Sequence, residues 1–342
     1  MLRLPRFTLE RPTTIESAIQ LIADSQGTGR FLAGGTDLIP NLKHEFIEAD
    51  IVVALEGIEA LRGIEVTAEG GLSIGPLTSL VDIAESEDVR RIAPALAQAV
   101  ESVAGPQQRQ MGTIGGNVML DTRCQWINQS HFWRSSLGFC LKKDGSACHV
   151  VEGGKRCVAA ASNDSAPALA TLGATLDFQK APTEHGGGKR TLGFEDLFKA
   201  DGAWNKKVGA DELLTRIHIP ATPEGHHGGY AKLRMRGSID FPLLGVAARL
   251  DVAGEGTIEH ADIVVIALQA RPTRVRKAAA LLVGAKLGEA SYTEALEAVM
   301  VAAYKQCHPL PNIPGDHEWR QEMVPVFVKR ALEAAIAYSA AP

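Results

Sequence analysis

The chain has no apolar run approaching the roughly 20 residues that span a bilayer, and its start, Met1 to Thr8, lacks the apolar core and cleavage site of an export signal. A cytoplasmic protein with reduced thiols and no membrane contact is the expectation. It also lacks a basic excess: 35 Lys and Arg stand against 40 Asp and Glu, for a formal net charge of -5. That balance gives no polyanion-binding signature, so nucleic acid is not an expected partner. The common nucleotide and hydrolase motifs are missing as well: there is no G-x-G-x-x-G, no G-x-x-x-x-G-K-S/T, no G-x-S-x-G and no H-E-x-x-H. No C-x-x-C pair occurs, which argues against zinc ribbons, thioredoxin-like motifs and ferredoxin runs. Aromatics are scarce at 5%, whereas glycine is frequent, with 34 residues. Many tight turns and a binding site built from backbone follow from that contrast.

At 342 residues the chain can bury two or three domains. Strand and helix signals alternate at first. Phe7–Glu10 reads as a strand, followed by a helix with Ile15, Ala18, Ile19 and Ile22 on one face. Arg30–Ala33 and Ile51–Leu55 read as short buried strands. Thr78 or Ser79 caps a helix through Ile83, and a longer one from Glu87 to Val103 stops at Gly105-Pro106. Asp164–Leu172 looks helical and Ala174–Phe178 extended, while Gly186-Gly187-Gly188 reads as an exposed loop. A domain boundary is expected at Pro220–Gly229, where the periodic pattern gives way to Pro, Gly and His, with His226-His227 solvated. Beyond it three strands (Tyr230–Met235, Leu243–Val252, Ala261–Leu268) precede helices at Arg274–Val283, Ser291–Ala303 and Val324–Ala340. Strands followed by helices in one block indicate an α+β arrangement.

Two features carry chemistry. The first is a pair of glycine doublets in similar settings, Ala-Gly-Gly-Thr-Asp at 33–37 and Thr-Ile-Gly-Gly-Asn at 113–117. Each follows a short apolar stretch and leads into small polar residues. Glycine lets backbone approach a pyrophosphate, and successive N–H groups form an anion-binding concavity, to which Thr36, Thr113 and Asn117 add side-chain hydrogen bonds. Gly-Gly is also the commonest of turns, and recurs here at 70–71, 153–154 and 228–229. The second feature is a window holding four of the five cysteines, Cys124, Cys140, Cys148 and Cys157, spaced C-x15-C-x7-C-x8-C. Six basic residues (Arg123, Arg134, Lys142, Lys143, Lys155, Arg156) accompany three acidic ones between Asp121 and Cys157, and would offset the charge of a thiolate-bound cluster. Trp126, Trp133, Phe132 and Phe139 would shield it. From the residues alone an iron–sulfur cluster and a four-cysteine zinc site both remain open. Cys307, alone in an alanine-rich region, reads as a buried inert thiol. The thiols are separate in sequence from the glycine doublets, so loss of a thiol is expected to leave the glycine site intact.

Together these pieces resemble the FAD-binding subunit of the molybdenum hydroxylase (xanthine dehydrogenase) family. Ala33-Gly34-Gly35-Thr36-Asp37-Leu38 and Thr113-Ile114-Gly115-Gly116-Asn117 sit where that family holds the FAD diphosphate, and Asp164-Ser165-Ala166-Pro167 matches its next flavin-contacting segment. Leu214 and Ile217-His218-Ile219-Pro220, then Tyr230-Ala231-Lys232 and Asp240-Phe241-Pro242, match its passage into the C-terminal domain. The resemblance implies FAD contacts at Phe31, Leu32, Val103, Asp164, Leu214 and Lys232 besides the two doublets. Lys232 and Asp164 are expected as polar contacts near the flavin, the alternative being a surface salt bridge. The implied fold is an FAD-binding domain of vanillyl-alcohol-oxidase (PCMH) type in two subdomains over residues 1–222, with a small C-terminal α+β domain over 226–340 built on a three-stranded antiparallel sheet.

Most members of that family run almost directly from the second doublet to the Asp-x-x-Pro segment. The cysteine window here is an insertion, about 121–158, and it resembles that of the beta subunits of 4-hydroxybenzoyl-CoA reductases, in which four cysteines hold a [4Fe–4S] cluster. All four ligand positions and all three spacings match. The resemblance implies FAD and one [4Fe–4S] cluster in a subunit with no catalytic residue of its own. It implies a partner large molybdopterin subunit and a small subunit with two [2Fe–2S] clusters, in a heterotrimer that dimerises to a heterohexamer. Electrons would pass from ferredoxin through [4Fe–4S], FAD and [2Fe–2S] to molybdenum, for reductive dehydroxylation of an aromatic CoA thioester in aromatic degradation. A flavoprotein subunit of a related hydroxylase or dehydrogenase, acting on another aromatic or heterocyclic substrate, is the alternative.

Overall fold

The computed structural model describes residues 2–183 and 186–339. Its first unit is a small parallel sheet in the order Thr8–Glu10, Ile51–Ala54, Gly29–Leu32. The helix Ile15–Asp24 starts where Thr14 Oγ1 accepts the Ser17 N–H at 3.1 Å. It buries Ala18, Ile19 and Ile22 against Val53 and Leu55. Helical spacing and burial coincide, so one apolar stripe both forms this helix and docks it.

The second unit is an antiparallel sheet in the order Ile64–Val66, Leu72–Ile74, Leu213–Ile219, Thr175–Thr183, Gly186–Gly193. The triple glycine therefore belongs to a strand and not to a loop: Gly188 pairs with Lys180 and Gly186 with Thr183 across a register shift. Its composition had signalled a turn; the ladder to a β-rich neighbour overrides that local preference. The long helix expected from Glu87 to Val103 is two helices, Glu87–Ile92 and Pro94–Glu101. Ala93 between them has φ -133° and ψ 56°, because a residue preceding proline is pushed out of the helical region.

The C-terminal sheet runs antiparallel in the order Thr273–Arg274, Ile258–Ile266, Leu244–Val252, His226–Leu233. It has four strands where three were expected; the fourth is two residues long, too short to show alternation. The strand Ile258–Ile266 begins earlier than read, and His226–Leu233 begins inside the expected linker. His226 is not solvated: its side chain is 3% exposed and its Nδ1 lies 2.9 Å from Asp251 Oδ1. The helix His317–Ser339 lies on this sheet, and Ala290–Gln306 packs against that helix. At Gly229 a Cβ would come within 2.2 Å of the Ala331 carbonyl, so glycine lets the last helix lie directly on the strand. Tyr230, Ala247, Val264 and Ile266 join the core formed by the five-stranded sheet and the helices Pro94–Glu101 and Ser165–Thr171. The chain is thus a mixed α+β structure whose sheets share buried surface. No helix among the described residues is long and apolar enough to cross a membrane.

Candidate functional site

Both glycine doublets open onto one cavity of about 1120 Å³. That exceeds the roughly 300–1,000 Å³ of a drug-sized ligand pocket and suits something as large as a dinucleotide. Of the residues implicated by resemblance, Phe31, Ala33 to Leu38, Val103, Thr113, Gly115 to Asn117, Asp164 and Leu214 line it. Leu32, Ile114 and Lys232 do not. Leu32 packs against Leu42 and Val52, beneath Gly35, and Ile114 is fully buried in the main core.

The two doublets play different parts. Among the described residues, the N–H groups of Gly34, Gly35, Thr36 and Asp37 donate to no other residue. Gly35 sits at φ +72°, which curls this run between the strand Gly29–Leu32 and the helix Leu38–Lys43. Four consecutive free amides on a cavity wall are the donor set an anionic diphosphate requires. The second doublet is not such a concavity. It lies in the short helix Ile114–Val118, where Gly115 N–H bonds the Pro76 carbonyl at 2.8 Å and Gly116 N–H bonds Thr113 Oγ1 at 3.1 Å. Asn117 Oδ1 is likewise occupied, by the backbone and hydroxyl of Ser165 at 3.1 and 2.6 Å. What the second doublet offers is closeness: a Cβ on Gly115 would come within 2.5 Å of Pro76, while Gly116 is exposed into the cavity with only Thr113 near it. The loops also touch each other, since a Cβ on Gly34 would fall 1.7 Å from the Met111 carbonyl oxygen.

Asp164 reaches the cavity from the start of the helix Ser165–Thr171. It accepts from Tyr230 Oη at 2.7 Å and Lys232 Nζ at 2.9 Å, and Lys232 also donates to the Ser102 carbonyl at 3.1 Å. Burial pushes the Asp164 carboxyl up against the pull of Lys232 and the tyrosine hydroxyl, and pushes Tyr230 well above its ordinary value. The pair is deeply buried, so the surface salt bridge alternative fails. Lys232 acts on the cavity only through Asp164.

Beside these lies a residue the sequence gave no reason to single out. Lys206 lines the same cavity and is 1% exposed; its Nζ donates to Leu120 O at 3.0 Å and Asn205 Oδ1 at 2.6 Å, 4.9 Å from the centre of the Phe198 ring. Burial lowers its pKa to about 7, with Lys142 adding to the shift and Asp121 opposing it. In an Asn-Lys-Lys run nothing distinguishes the buried lysine from its solvated neighbour.

The cysteine window forms another wall of the cavity through Asp121–Arg123, Ile127, Asn128, Lys142 and Lys143. Cys124, Cys140 and Cys157 are buried together with Ile127 and Ala159, against Trp126 and Val150, and Cys148 is half-buried. Burial pushes the Cys124 thiol up to about 12, with Cys157, Cys140 and Cys148 adding to the shift. Among the described residues no group of three or more His, Cys, Asp or Glu is placed to hold a metal ion. The four-cysteine zinc alternative thus finds no ready tetrahedron, and a cluster is not preformed. Cysteine thiols are the donor chemistry of a four-iron cluster, whose cube spreads its ligand sulfurs more widely than one ion does.

The surroundings differ in part from expectation. Trp126 packs in tilted geometry 5.8 Å from Trp133 and 5.2 Å from His149, but Phe132 is 82% exposed and shields nothing. Of the cations, Lys142 draws the Cys157 pKa down, opposing the larger effect of burial. It also donates to Asp121, Thr122 and the Gly202 carbonyl at 2.9, 2.8 and 2.7 Å. Arg123 and Arg134 turn away, towards the first glycine loop. The window is tied to the C-terminal domain too: Gln125 N–H bonds the Asn312 carbonyl at 2.7 Å, and Asn312 Nδ2 bonds the Val158 carbonyl at 2.7 Å. Cys307 lies apart in the C-terminal core, 3% exposed, with burial raising its pKa to about 12.

Comparison with known proteins agrees with this geometry. Residues 5–222 match the family described as the FAD binding domain in molybdopterin dehydrogenase. The chain belongs to that family. Residues 229–335 match the CO dehydrogenase flavoprotein C-terminal domain. The carbon monoxide dehydrogenase medium chain of Hydrogenophaga pseudoflava is 28% identical over 332 residues, 97% of each chain. The xanthine dehydrogenase FAD-binding subunit of Escherichia coli O157:H7 is 26% identical over 330 residues, 96% of this chain and 95% of that one. Among solved structures, the reconstituted CO dehydrogenase from Oligotropha carboxidovorans superposes with a TM-score of 0.77 at 26% identity, covering 98% of this chain and 99% of its own. This flavoprotein is therefore an FAD-binding oxidoreductase subunit of the molybdenum hydroxylase type, and its cavity, free amides and buried Asp164 fit the flavin dinucleotide.

Proposed function

We propose that the flavoprotein is the electron-transferring subunit of a molybdenum-containing complex similar to 4-hydroxybenzoyl-CoA reductase. Its four window cysteines would hold one [4Fe–4S] cluster and its cavity one non-covalent FAD. The observation that carries this reading is the burial of Cys124, Cys140 and Cys157 in one apolar cluster, with Cys148 half-buried, in a window whose Arg123, Lys142 and Lys143 help line the flavin cavity. A bound flavin supplies a carrier able to take electrons singly or in pairs. This chain's residues bind and orient it: the amides of Gly34 to Asp37 receive the diphosphate, and Gly115 and Gly116 permit close approach. Asp164, anchored by Tyr230 and Lys232, presents a fixed acceptor.

The partners on this reading are a large molybdopterin subunit and a small subunit with two [2Fe–2S] clusters, as an (αβγ)2 heterohexamer in the cytoplasm. Reduced ferredoxin would deliver electrons at the window, and an aromatic CoA thioester would lose its phenolic hydroxyl on the large subunit. A second reading is specifically favoured by the relatives, which include carbon monoxide and xanthine dehydrogenase subunits matched over nearly their full length. There the complex oxidises another substrate and electrons leave through the flavin.

The test uses the purified complex. FAD released by acid, iron and sulfide near four of each per window, and turnover of 4-hydroxybenzoyl-CoA with reduced ferredoxin support the first reading. Turnover only in the oxidative direction, on another aromatic or heterocyclic compound, supports the second. About one zinc and no iron in this chain would remove the cluster.

A further inference from the structure

The helix Leu38–Lys43, which follows the free amides of the first glycine loop, is held at both ends by the cysteine window. At its start Arg123, adjacent to Cys124, pairs with Asp37 and donates to Asn41 Oδ1 at 3.1 Å, while stacking 4.6 Å over the Phe241 ring. At its end Arg134 donates to the His44 and Glu45 carbonyls at 3.0 and 3.3 Å, and lies 5.1 Å from the Phe46 ring. Just beyond, Lys143, three residues after Cys140, reaches Glu48 at 2.8 Å.

The helix needs such support. It is six residues long and has no side-chain hydrogen bond at its N-cap. A helix this short does not hold itself in water. The supporting arginines are not there for the window's own benefit. Arg134 is 2% exposed, yet its Nε and Nη1, like Nε of Arg123, have no partner. A guanidinium buried with bonds unmade destabilises its own segment. The side-chain hydrogen bonds each does make are directed at the glycine-loop helix and the turn that ends it, although Arg134 also lies 5.8 Å from the window's own Phe139 ring.

We propose that the cysteine window sets the flavin affinity of the first glycine loop, so that occupancy of the four thiols and binding of FAD are one linked equilibrium. Arg123 and Arg134 are the positioning residues that couple the two. The inference rests on the reading that FAD fills the cavity and the thiols hold a cluster. A filled thiol set fixes the window; the fixed window holds both ends of the helix; the helix holds the amides in the curl that an anionic ligand needs. Linkage is reciprocal, so bound FAD must retain the cluster by the same factor.

The test uses the whole complex, purified without oxygen. Its FAD and iron contents are measured first; absence of FAD, or iron no higher than the four atoms per heterotrimer that two [2Fe–2S] clusters supply, overturns the underlying reading. With both present, loss of the window's four iron atoms to bathophenanthroline disulfonate, told from [2Fe–2S] iron by the loss of the [4Fe–4S] electron paramagnetic resonance signal in reduced samples, is timed in the FAD-loaded and FAD-stripped forms. Release about fivefold or more slower with FAD bound is the expected result. Equal rates overturn the proposal while leaving both cofactors assigned. Arg134→Met and Arg123→Met should then bring the ratio of the two rates close to unity, whereas a purely structural role would speed both and keep the ratio. Lys155→Met, which removes an exposed charge of the same window, should leave the ratio unchanged. Should either arginine variant fail to fold, the unaltered complex alone decides.

Discussion

Asp164 and Lys232 meet at 2.9 Å with both side chains 3% exposed, one at the head of a helix in the FAD-binding domain and the other on the first strand of the C-terminal sheet. This deeply buried ion pair beside the flavin cavity thus joins the two halves of the chain.

Removing one partner should be far worse than removing both. Lys232→Met leaves a buried carboxylate unpaired and should cost about 3–5 kcal/mol. Asp164→Asn combined with Lys232→Met should recover most of it, as read from denaturant midpoints. Burial holds the folded pKa of Asp164 above its unfolded value. The folded state therefore binds the extra proton, and the Lys232→Met protein should lose stability as pH rises from the ordinary carboxylate range. A double variant no more stable than Lys232→Met would show that the ion pair is not the link.

The two doublets should fail differently when altered. Gly34→Ala drives a methyl group into the Met111 carbonyl at 1.7 Å, separating the loops from each other. Overpacking of this kind costs about 1–3 kcal/mol or more. Gly116→Val meets only Thr113 Oγ1 at 3.1 Å, and its φ is not in the left-handed region, so stability should change by less than about 1 kcal/mol. Its branched side chain fills cavity space instead. Far-ultraviolet circular dichroism should stay native for Gly116→Val while bound flavin falls at least about tenfold.

Lys206 predicts a pH dependence of its own. Its folded pKa of about 7 lies below the unfolded value of about 10.4. Between these limits the unfolded chain binds more protons, so the lysine's contribution to stability improves as pH rises through that window and is poorest below pH 7. The stability of the native protein relative to Lys206→Met should increase from pH 7 towards pH 10. A flat difference would mean that Lys206 keeps its charge when buried.

The cysteines separate into two kinds. Cys148→Ser should strip iron and sulfide from the chain and abolish reduction by ferredoxin, while a small artificial donor still drives turnover. Cys307→Ala should keep its iron and cost about 1 kcal/mol of stability from a slightly emptied core.

Much of this was legible before the fold was known, and the failures share a physical origin. Alternation and helical spacing are local, so the Ile15–Asp24 helix and the strands at Ile51 and Leu244 could be read within a residue or two. The glycine doublets could be placed at one ligand, but not told apart, because which amides are free depends on Pro76 and Thr113, brought there by folding. Gly186–Gly188 and Gly228–Gly229 read as turns because composition cannot see the partner strand. The thiols and the first doublet were taken as independent because they are far apart in sequence. The bond from Arg123 to Asp37 crosses 86 positions, and no pattern along the chain announces it.

The two bonds between the window and Asn312 bear on transplantation. A segment that only touched the flavin domain could be moved to a relative by splicing about 40 residues between two fixed ends. This one is answered on three sides, by Asp37 and Asn41, by the carbonyls of His44 and Glu45, and by Asn312. A graft would have to carry those acceptors with it, and a deletion would leave a socket to be refilled in both domains.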